Sequence, residues 1–405
     1  MRIRAFTPLR PPADKAHLVA SLPYDVVTTD EARALAKDNP LSMLHVVRAE
    51  IDLPPNTDPH SDVVYDKAVE NFKRLQREGA LVREQGPCLY VYEQQMREHT
   101  QRGVVALCHV DDYDAGLIKK HEKTRPDKEN DRTRLTSDLS ANAGPVFLTY
   151  RDNAAVRELV ANARRGAPVF EFTAPDGIRH AGWRIEGGSE LTSAFGHVPA
   201  FYVADGHHRS ASAARVARQR KAANPVHSGH EDYNWFLCVL FPASELKILP
   251  YNRLVHDLNG RTPQDLLSEL GACCEVQESA PHSPAKPGQV SMYLARGWHT
   301  LTLEAPANAD PVSRLDVQML QQQVLGPLLG IDDPRTSERI SFAGGIRGTD
   351  YLVKEVDAGR AAVAFSMFPT TVDQLMEIAD AGQIMPPKST WFEPKLRSGL
   401  FVHTF

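Results

Sequence analysis

The sequence predicts an α+β fold with mixed sheets. Strand-like apolar runs and amphipathic helical segments are mixed along all 405 residues, and most neighbouring strands are separated by hairpin-length loops. The chain has no internal repeat and no low-complexity tract. Regular alternation of strands with helices, which would indicate a doubly wound parallel sheet, is missing.

The first helix is expected from Asp30, with Thr29 as its cap, and ends before Asn39-Pro40. A helical period of apolar residues runs from Asp62 to Glu78 and stops at Gly79. Further helices are expected over 154–165, 210–220, 263–270, 312–325 and 371–381.

β-type runs predict the strands, and polar loops separate them. The loop Gln94–Thr100 suits a hairpin between two of them. The expected strands are 43–47, 88–92, 103–110, a run ending at Tyr150, 169–173, 178–185, 201–203, 235–241 with 246–255 as its hairpin partner, 290–294, 300–303, 361–368 and 400–405.

A change in character near residue 260 predicts the domain organisation. We expect a main α+β domain over 1–259, a smaller α+β lobe over 260–350, and a C-terminal segment over 351–405 that packs back on the main domain.

Composition restricts the class of protein. The formal net charge of −5 argues against a nucleic-acid partner, which would favour a basic excess. The five cysteines form no CxxC pair, which favours a reducing compartment. The N-terminus lacks the apolar core of a signal peptide, and no apolar run is long enough to span a membrane. We therefore expect a cytoplasmic protein without membrane association.

The stretch Phe201–Ser210 concentrates the most chemistry. A short β-type run leads into the turn Asp205-Gly206, and His207, His208 and Arg209 precede a helix expected from Ser210. The start of a helix offers unpaired N–H groups and the positive end of its dipole, which suits phosphate. Arginine adds a planar fork for phosphate oxygens, and glycine lets the backbone approach closely.

Three other interpretations of this turn stay open. Its histidines could satisfy backbone groups, or its charges could form a buried network. The histidines and Asp205 could also bind a metal, but no H-x-x-x-H or H-x-H spacing lies nearby, so no transition metal is expected.

A second informative stretch, Ile118–Arg134, is mostly charged. It reads either as a solvated helix with mixed charges or as the lining of a polar cleft. Lys388 and Ser389 form a candidate second phosphate contact, although the glycines of a P-loop are missing and a structural turn is the alternative. The Gly344–Gly348 turn with Arg347 is a weaker candidate of the same kind, with a plain tight turn as the alternative. Asp25 could place a carboxylate for a substrate amine or Mg²⁺, and a structural Asx turn is the equal alternative.

The letters Asp205-Gly-His-His-Arg209 resemble the phosphate-binding signature of the ParB/sulfiredoxin-like superfamily, and most closely its free-serine kinases. The resemblance implies a phosphate-binding core of that type, with Arg209 and the helix start holding a phosphoryl group. In those kinases a glutamate in a His-Glu context is the proposed base. His121-Glu122 resembles it, but here the separation from the motif is much longer.

Nearly the whole chain resembles a bacterial and archaeal family called domain of unknown function 1015. The residues that carry this resemblance are Pro23–Val26, Asn39–Ser42, Lys120–Asp127, Asn142–Pro145, Ala204–Arg209 and Met385–Thr390.

Together these features predict a phosphotransferase (kinase-like) or phosphatase that acts on a small hydroxyl metabolite, serine or O-phosphoserine. Glu122, His207, His208 and Asp205 are the candidate catalytic residues, and phosphate or nucleotide binding is assigned to Gly206, His207, His208, Arg209, Ser210, Lys388 and Ser389. Mg²⁺ with a nucleotide or pyrophosphate is the expected cofactor. The expected partner is a small phosphorylated metabolite or nucleotide, and a homo-oligomer is left open. The alternatives are a non-catalytic nucleotide or anion sensor and a metal-dependent hydrolase.

Overall fold

A computed structural model describes residues 1–405, and its contacts divide the chain into two compact units. The first unit contains Met1–Leu246 together with Pro394–Phe405, and the second contains Lys247–Glu393. The domain boundaries expected after residues 259 and 350 stay predictions. No helix combines the length and the apolar character that crossing a bilayer would need.

The first unit contains nine α-helices: α1 Ala16–Val19, α2 Thr29–Ala36, α3 Leu44–Val47, α4 Asp62–Arg77, α5 Val110–Asp114, α6 Pro126–Leu139, α7 Ala154–Ala163, α8 Ser189–Gly196 and α9 His207–Ala223. The second unit contains four: α10 Pro263–Cys273, α11 Asp316–Leu320, α12 Gly348–Asp357 and α13 Val372–Asp380. A π-helical turn, Gln321–Leu325, continues α11.

The strands of the first unit are β1 Ile3–Arg4, β2 Leu9–Arg10, β3 Val82–Arg83, β4 Cys88–Met96, β5 His99–His109, β6 Ile118–Lys119, β7 Ala141–Asn142, β8 Val146–Tyr150, β9 Phe170–Thr173, β10 Arg179–Glu186, β11 Phe201–Asp205, β12 Trp235–Pro242 and, near the C-terminus, β21 His403–Thr404. Those of the second unit are β13 Lys247–Leu249, β14 Tyr251–Val255, β15 Glu275–Glu278, β16 Gln289–Leu294, β17 Gly297–Thr302, β18 Ile340–Gly344, β19 Val363–Met367 and β20 Trp391–Glu393.

A nine-stranded mixed sheet forms the centre of the first unit. Its strand order is β6-β11-β8-β12-β5-β4-β10-β9, and β1 pairs with β5. Two pairings are parallel, β6 with β11 and β8 with β12, and the others are antiparallel. Small two-stranded sheets join β2 to β3 and β7 to β21. This arrangement confirms the predicted α+β class with mixed sheets.

Apolar side chains of the central sheet pack with helices to form the first core cluster. Val146, Leu148 and Phe201 are fully buried and pack with α9 through Ala213 and Ala214. A second cluster joins α2, α3 and α4 to the end of α6. Burial of apolar surface in these two clusters stabilises the unit by about 25 cal/mol per Å².

An antiparallel six-stranded sheet forms the centre of the second unit. Its order is β15-β17-β16-β19-β14-β18, and β13 and β20 make a separate pair. The helix α12 packs on this sheet through Leu352. The helix expected over 312–325 begins later, at Asp316, and changes to π geometry at Gln321.

Two predicted strands are wrong. The run Met43–Val47 contains the helix α3, because a short apolar run does not distinguish a buried helical turn from a strand and its packing decides. The expected hairpin partner of β12, residues 246–255, is two strands on either side of Pro250. These strands pair within the second unit, β13 with β20 and β14 with β18 and β19. Proline supplies no N–H group for a continuous ladder.

Candidate functional site

The site forms where β11 passes into α9. The helix begins at His207, three residues earlier than the sequence predicts, so both histidines and Arg209 lie in its first turn. Gly206 is the N-cap residue and has a φ of 96°, a conformation that favours glycine. A Cβ atom at this position would lie 3.1–3.3 Å from the Arg209 guanidinium group. The turn therefore needs glycine both for its backbone and for the packing of Arg209.

The parallel pairing of β6 with β11 brings a second segment to this turn. Ile118 is opposite Phe201 and Lys119 is opposite Tyr202. Because both strands run in the same direction, the residues that follow each of them meet at one edge of the sheet. The loop that follows β6 carries His121 and Glu122, and the turn that follows β11 carries His207.

Glu122 and His207 are close together, although 85 (207 − 122) positions separate them. The Glu122 Oε2 atom is 3.8 Å from the His207 Nδ1 atom. The Glu122 side chain is 45% exposed, whereas that of His207 is 5% exposed. The structure thus brings Glu122 beside the Asp205–Arg209 turn, and the Glu122 carboxylate is the solvent-exposed member of the pair.

His121 is a site residue that the sequence analysis did not assign. It is 2% exposed, and its ring meets that of His207 edge to face with 4.5 Å between ring centroids. Neither ring nitrogen of His121 has a hydrogen-bond partner of good geometry, and neither has the Nε2 atom of His207. Buried polar atoms normally have partners, so these three nitrogens indicate a ligand site.

Burial keeps both of these histidines neutral. It lowers the pKa of His121 to about 4, against the opposing effects of Asp205 and the nearby Val203 carbonyl group. Burial, together with His121, lowers the pKa of His207 well below its usual range. Neutral imidazoles present lone pairs, which suit metal binding or proton acceptance.

Asp205, Arg209 and Lys395 form a charged group beside the turn. Arg209 donates from Nη2 to Asp205 at 2.8 Å, and the Lys395 Nζ atom is 3.7 Å from the other Asp205 oxygen. Burial alone would raise the pKa of Asp205, but Lys395 and Arg209 outweigh it and lower this pKa to about 2. Asp205 is therefore ionised at neutral pH.

The Arg209 side chain is held in place from two sides, and 11% of it is exposed. Its Nη1 atom donates to the Pro145 carbonyl group, and its Nε atom has no partner. Asp25 and Asp205 stabilise the cation and raise the pKa of Arg209, against the effect of burial. The Nε–H group of Arg209 is buried and has no partner, so it is a donor available to a ligand.

Lys395 was also missed, because it comes from the segment that returns after the second unit. The buried side chain of Gln94 donates to the Lys395 carbonyl group at 2.8 Å, and Gln101 donates to that of Pro394 at 3.3 Å. These bonds fix the backbone from which Lys395 reaches Asp205. No local motif around Lys395 gives a signal of this role.

The remaining predicted residues have other partners. The His208 Nε2 atom accepts from the Arg125 backbone N–H at 3.1 Å, and burial lowers the pKa of His208. The buried Ser210 hydroxyl donates to the His207 carbonyl group at 3.0 Å. Lys388 and Ser389 belong to the second unit, where the Ser389 hydroxyl donates to the Pro386 carbonyl group at 2.7 Å. Their assignment to phosphate stays a prediction.

The charged stretch 118–134 divides into the strand β6, a loop with His121 and Glu122, and the helix α6. Its helical part, α6, packs on α9, and the Ser212 hydroxyl donates to the Glu129 carbonyl group at 3.2 Å. Arg215 donates to Asn130 at 2.6 Å. The loop before α6 lines the turn with His121 and Glu122. These helix contacts hold the loop against the start of α9.

Residues 3–318 match the family described as "Protein of unknown function (DUF1015)". The chain belongs to this family. The match confirms the resemblance noted in the sequence and includes the turn, the His121-Glu122 loop and Asp25. No curated protein matches the chain significantly.

Several solved structures share part of the architecture. A free serine kinase in complex with AMP is 12% identical, and the match covers 73% of this chain and 91% of that chain at a TM-score of 0.38. SbnI from Staphylococcus aureus, with a C-terminal truncation, is 12% identical over 74% of this chain and 87% of that chain, also at 0.38. A conserved hypothetical protein from Pyrococcus furiosus is 12% identical over 73% and 94%, at 0.36. A likeness this distant carries no argument about chemistry.

Proposed function

We propose that this chain is a phosphotransferase or phosphohydrolase that acts on a small hydroxyl metabolite, serine or O-phosphoserine. The observation that carries the proposal is the Glu122 carboxylate, 3.8 Å from His207 at the start of α9. A carboxylate beside an anion-binding helix start provides both the acceptor for a hydroxyl proton and the cradle for a phosphoryl group. Serine follows from the resemblance of the motif to free-serine kinases.

The start of α9 is the proposed phosphoryl site. The N-cap is a glycine, so no side chain of the N-cap residue competes for the N–H groups of the first turn. The Nε atom of Arg209 faces its own glycine turn and has no partner. The backbone N–H groups and this cation supply the positioning and charge stabilisation on which phosphoryl transfer mostly depends.

The charges around the turn support a divalent cation with the donor. Asp25, Asp205 and Glu122 carry three negative charges, whereas Arg209 and Lys395 carry two positive charges. A nucleotide or pyrophosphate would add further negative charge. We therefore assign Mg²⁺ to the donor phosphates, which is the way most phosphotransferases neutralise them.

In the kinase direction, Glu122 takes the proton of the substrate hydroxyl as its oxygen attacks the donor phosphorus. The bond from phosphorus to the leaving phosphate oxygen breaks, and the donor leaves one phosphate shorter. In the hydrolytic direction water replaces the hydroxyl substrate. Lys395 and Arg209 outweigh burial and keep the pKa of Asp205 low, so we assign Asp205 to orient a histidine or Mg²⁺ rather than to accept the hydroxyl proton.

The test is a binding and turnover screen of the full chain with ATP, ADP, pyrophosphate, serine and O-phosphoserine, with Mg²⁺. Arg209→Ala should weaken the binding of every phosphorylated hit by about 10- to 100-fold, as expected for a charge-assisted hydrogen bond of about 1.5–3 kcal/mol. The matched control is Arg218→Ala, which removes an exposed arginine from the same helix. It should bind like the wild type.

Two outcomes would count against the proposal. If Arg209→Ala binds and turns over each hit as well as the wild type, the phosphoryl site is not at this turn. If ligands bind and depend on Arg209 but no product forms with any acceptor, the chain is a nucleotide or anion sensor.

A further inference from the structure

The side chains of His121, Glu122 and His207 lie close together, and the proposed phosphoryl transfer assigns a chemical step only to Glu122. Each side chain offers one ligand atom, and these atoms lie within 4.8 Å of one another. Two imidazoles and one carboxylate are a common ligand set of catalytic zinc and of other first-row divalent metals. No metal-binding spacing is visible in the sequence, because the cluster joins two segments that are distant along the chain.

We infer that His121, Glu122 and His207 bind one divalent transition-metal ion, with Zn²⁺ as the best fit to the ligand set. The inference does not depend on phosphoryl transfer, because a metal would bind here whether or not the turn holds phosphate. Where both hold, one Glu122 oxygen binds the metal and the other accepts the proton of the substrate hydroxyl. The inference departs from the sequence-based expectation that the protein has no transition metal.

The geometry fits a metal after a small movement. Two ligands that each bind one Zn²⁺ at about 2.1 Å lie at most about 4.2 Å apart. The 3.8 Å between His207 Nδ1 and Glu122 Oε2 is already within this limit. The ligand atoms of the three side chains lie within 4.8 Å of one another, so no pair has to approach by more than about 0.6 Å.

The unpartnered nitrogens are the independent evidence for a ligand. His121 is 2% exposed, and both of its ring nitrogens lack partners of good geometry, as does the Nε2 atom of the buried His207. A buried polar atom that is left without a partner destabilises the fold. A bound metal would satisfy one nitrogen of His121, and at His207 it would take Nδ1, the atom 3.8 Å from Glu122, so the unpartnered nitrogens of His121 carry this evidence.

The same cluster explains why Mg²⁺ is not the ion expected at these ligands. Mg²⁺ prefers oxygen ligands and retains its water, whereas imidazole favours Zn²⁺, Co²⁺ and Ni²⁺. Three protein ligands leave at least one coordination position open, as in catalytic zinc sites. Because His207 belongs to the first turn of α9, that position lies beside the proposed phosphoryl site. Water or a phosphoryl oxygen would therefore complete the coordination.

The experiment uses tag-free full chain, stripped with a chelator and titrated with Zn²⁺ and, separately, with Co²⁺. We expect about one ion per chain by elemental analysis, and a visible absorption spectrum for bound Co²⁺. Millimolar Mg²⁺ should not displace either ion. Glu122→Gln and His207→Ala should each weaken binding by about 100-fold or more, since even outer-shell changes cost 10- to 100-fold.

His208→Ala is the matched control. It removes the neighbouring histidine of the same turn, whose Nε2 atom is bound to the Arg125 N–H, and it should leave metal affinity within about threefold of the wild type. Because Glu122 is half exposed, Glu122→Gln should fold even where a histidine variant does not, and circular dichroism checks this.

The inference is overturned if the wild type binds no more Zn²⁺ than Glu122→Gln, or if His208→Ala loses the ion as well. The Arg209→Ala variant separates the two proposals, since it should lose phosphoryl ligands and keep the metal. A protein that binds metal but no phosphoryl ligand would contradict only the proposed function, and the reverse result would contradict only the metal site.

Discussion

Two histidines of the first unit, His180 and His121, are similarly buried, but only the ring nitrogens of His180 have hydrogen-bond partners of good geometry. His180 is fully buried, and both of its ring nitrogens have partners: Nδ1 is 2.7 Å from the Tyr92 hydroxyl and Nε2 accepts from the Arg397 Nε atom at 3.2 Å. His121 is almost as buried, yet its nitrogens have none of good geometry. Burial lowers the pKa of both residues.

The difference separates a structural histidine from a site histidine. Around His180 the network continues, because Arg397 also forms an ion pair with Asp176, and the ring stacks on Phe172 with 5.1 Å between centroids. A network in which every member is satisfied stabilises one arrangement of the core. The neutral ring of His121 instead keeps one nitrogen lone pair and one N–H group without a partner of good geometry, at a cost in stability. Stability measurements can therefore test this distinction without knowing the substrate.

The largest effect is expected from His180→Leu. Leucine fills a similar volume but leaves the Tyr92 hydroxyl and the Arg397 Nε atom without their partner, at about 1–3 kcal/mol for a neutral group and more for a charged one. The free energy of unfolding should fall by about 3–5 kcal/mol, measured by urea denaturation. Tyr92→Phe, which leaves only one ring nitrogen without its partner, should cost about 1–2 kcal/mol. Equal costs for the two variants would show that His180 is not held by this network.

An intermediate effect is expected at Asp316 in the second unit, where only one carboxyl oxygen has a partner. Its Oδ1 atom accepts from the Gly288 N–H at 3.0 Å, and its buried Oδ2 atom has none. Burial raises the pKa of Asp316 to about 6 from 3.8, against the effect of the Gly288 bond. Because the folded state binds its proton more tightly than the unfolded state does, the contribution of Asp316 is most favourable below pH 3.8. It is lost as the pH rises to 6.

Comparison with Asp316→Asn isolates the contribution of the Asp316 carboxyl group to the pH dependence of stability. Relative to the variant, the wild type should lose up to about 3 kcal/mol of unfolding free energy between pH 3.5 and pH 7.5, the value that a pKa difference of about two units implies. Denaturation curves of both proteins across this range measure it. A difference between them that does not change with pH would mean that Asp316 titrates as it does in the unfolded chain.

How much of the candidate site the sequence can predict depends on how local each contact is. The residues before and after Gly206 form a contiguous strand, turn and helix, so their pattern predicted the turn, although the helix begins at His207. The meeting of Glu122 with His207 depends on β6, a strand of only two residues. No periodicity is detectable over two residues. Lys395 reaches Asp205 only because its segment rejoins the first unit.

The fold, like the site, is predictable from the sequence only where the pattern is local. Long amphipathic helices such as α4 and alternating or wholly apolar strands such as β12 were predicted, because their patterns extend over many residues. The helix α3 was predicted as a strand, since five mostly apolar residues satisfy both patterns. Pairing partners were less predictable than elements: β14 joins β18 and β19, which lie far along the chain. Such pairings depend on the packing of the whole unit.

The smallest effect, and the most decisive for the comparison, is expected from His121→Leu in the presence of a chelator. The ring is neutral near pH 7, since its pKa is about 4, and it makes no hydrogen bond of good geometry that leucine would lose. Leucine removes two poorly satisfied nitrogens and retains most of the buried volume. The free energy of unfolding should therefore change by less than about 1 kcal/mol, or rise. Denaturation beside His180→Leu gives the contrast. A loss of 3 kcal/mol or more would make His121 a structural residue like His180, and its unpartnered nitrogens would no longer indicate a site.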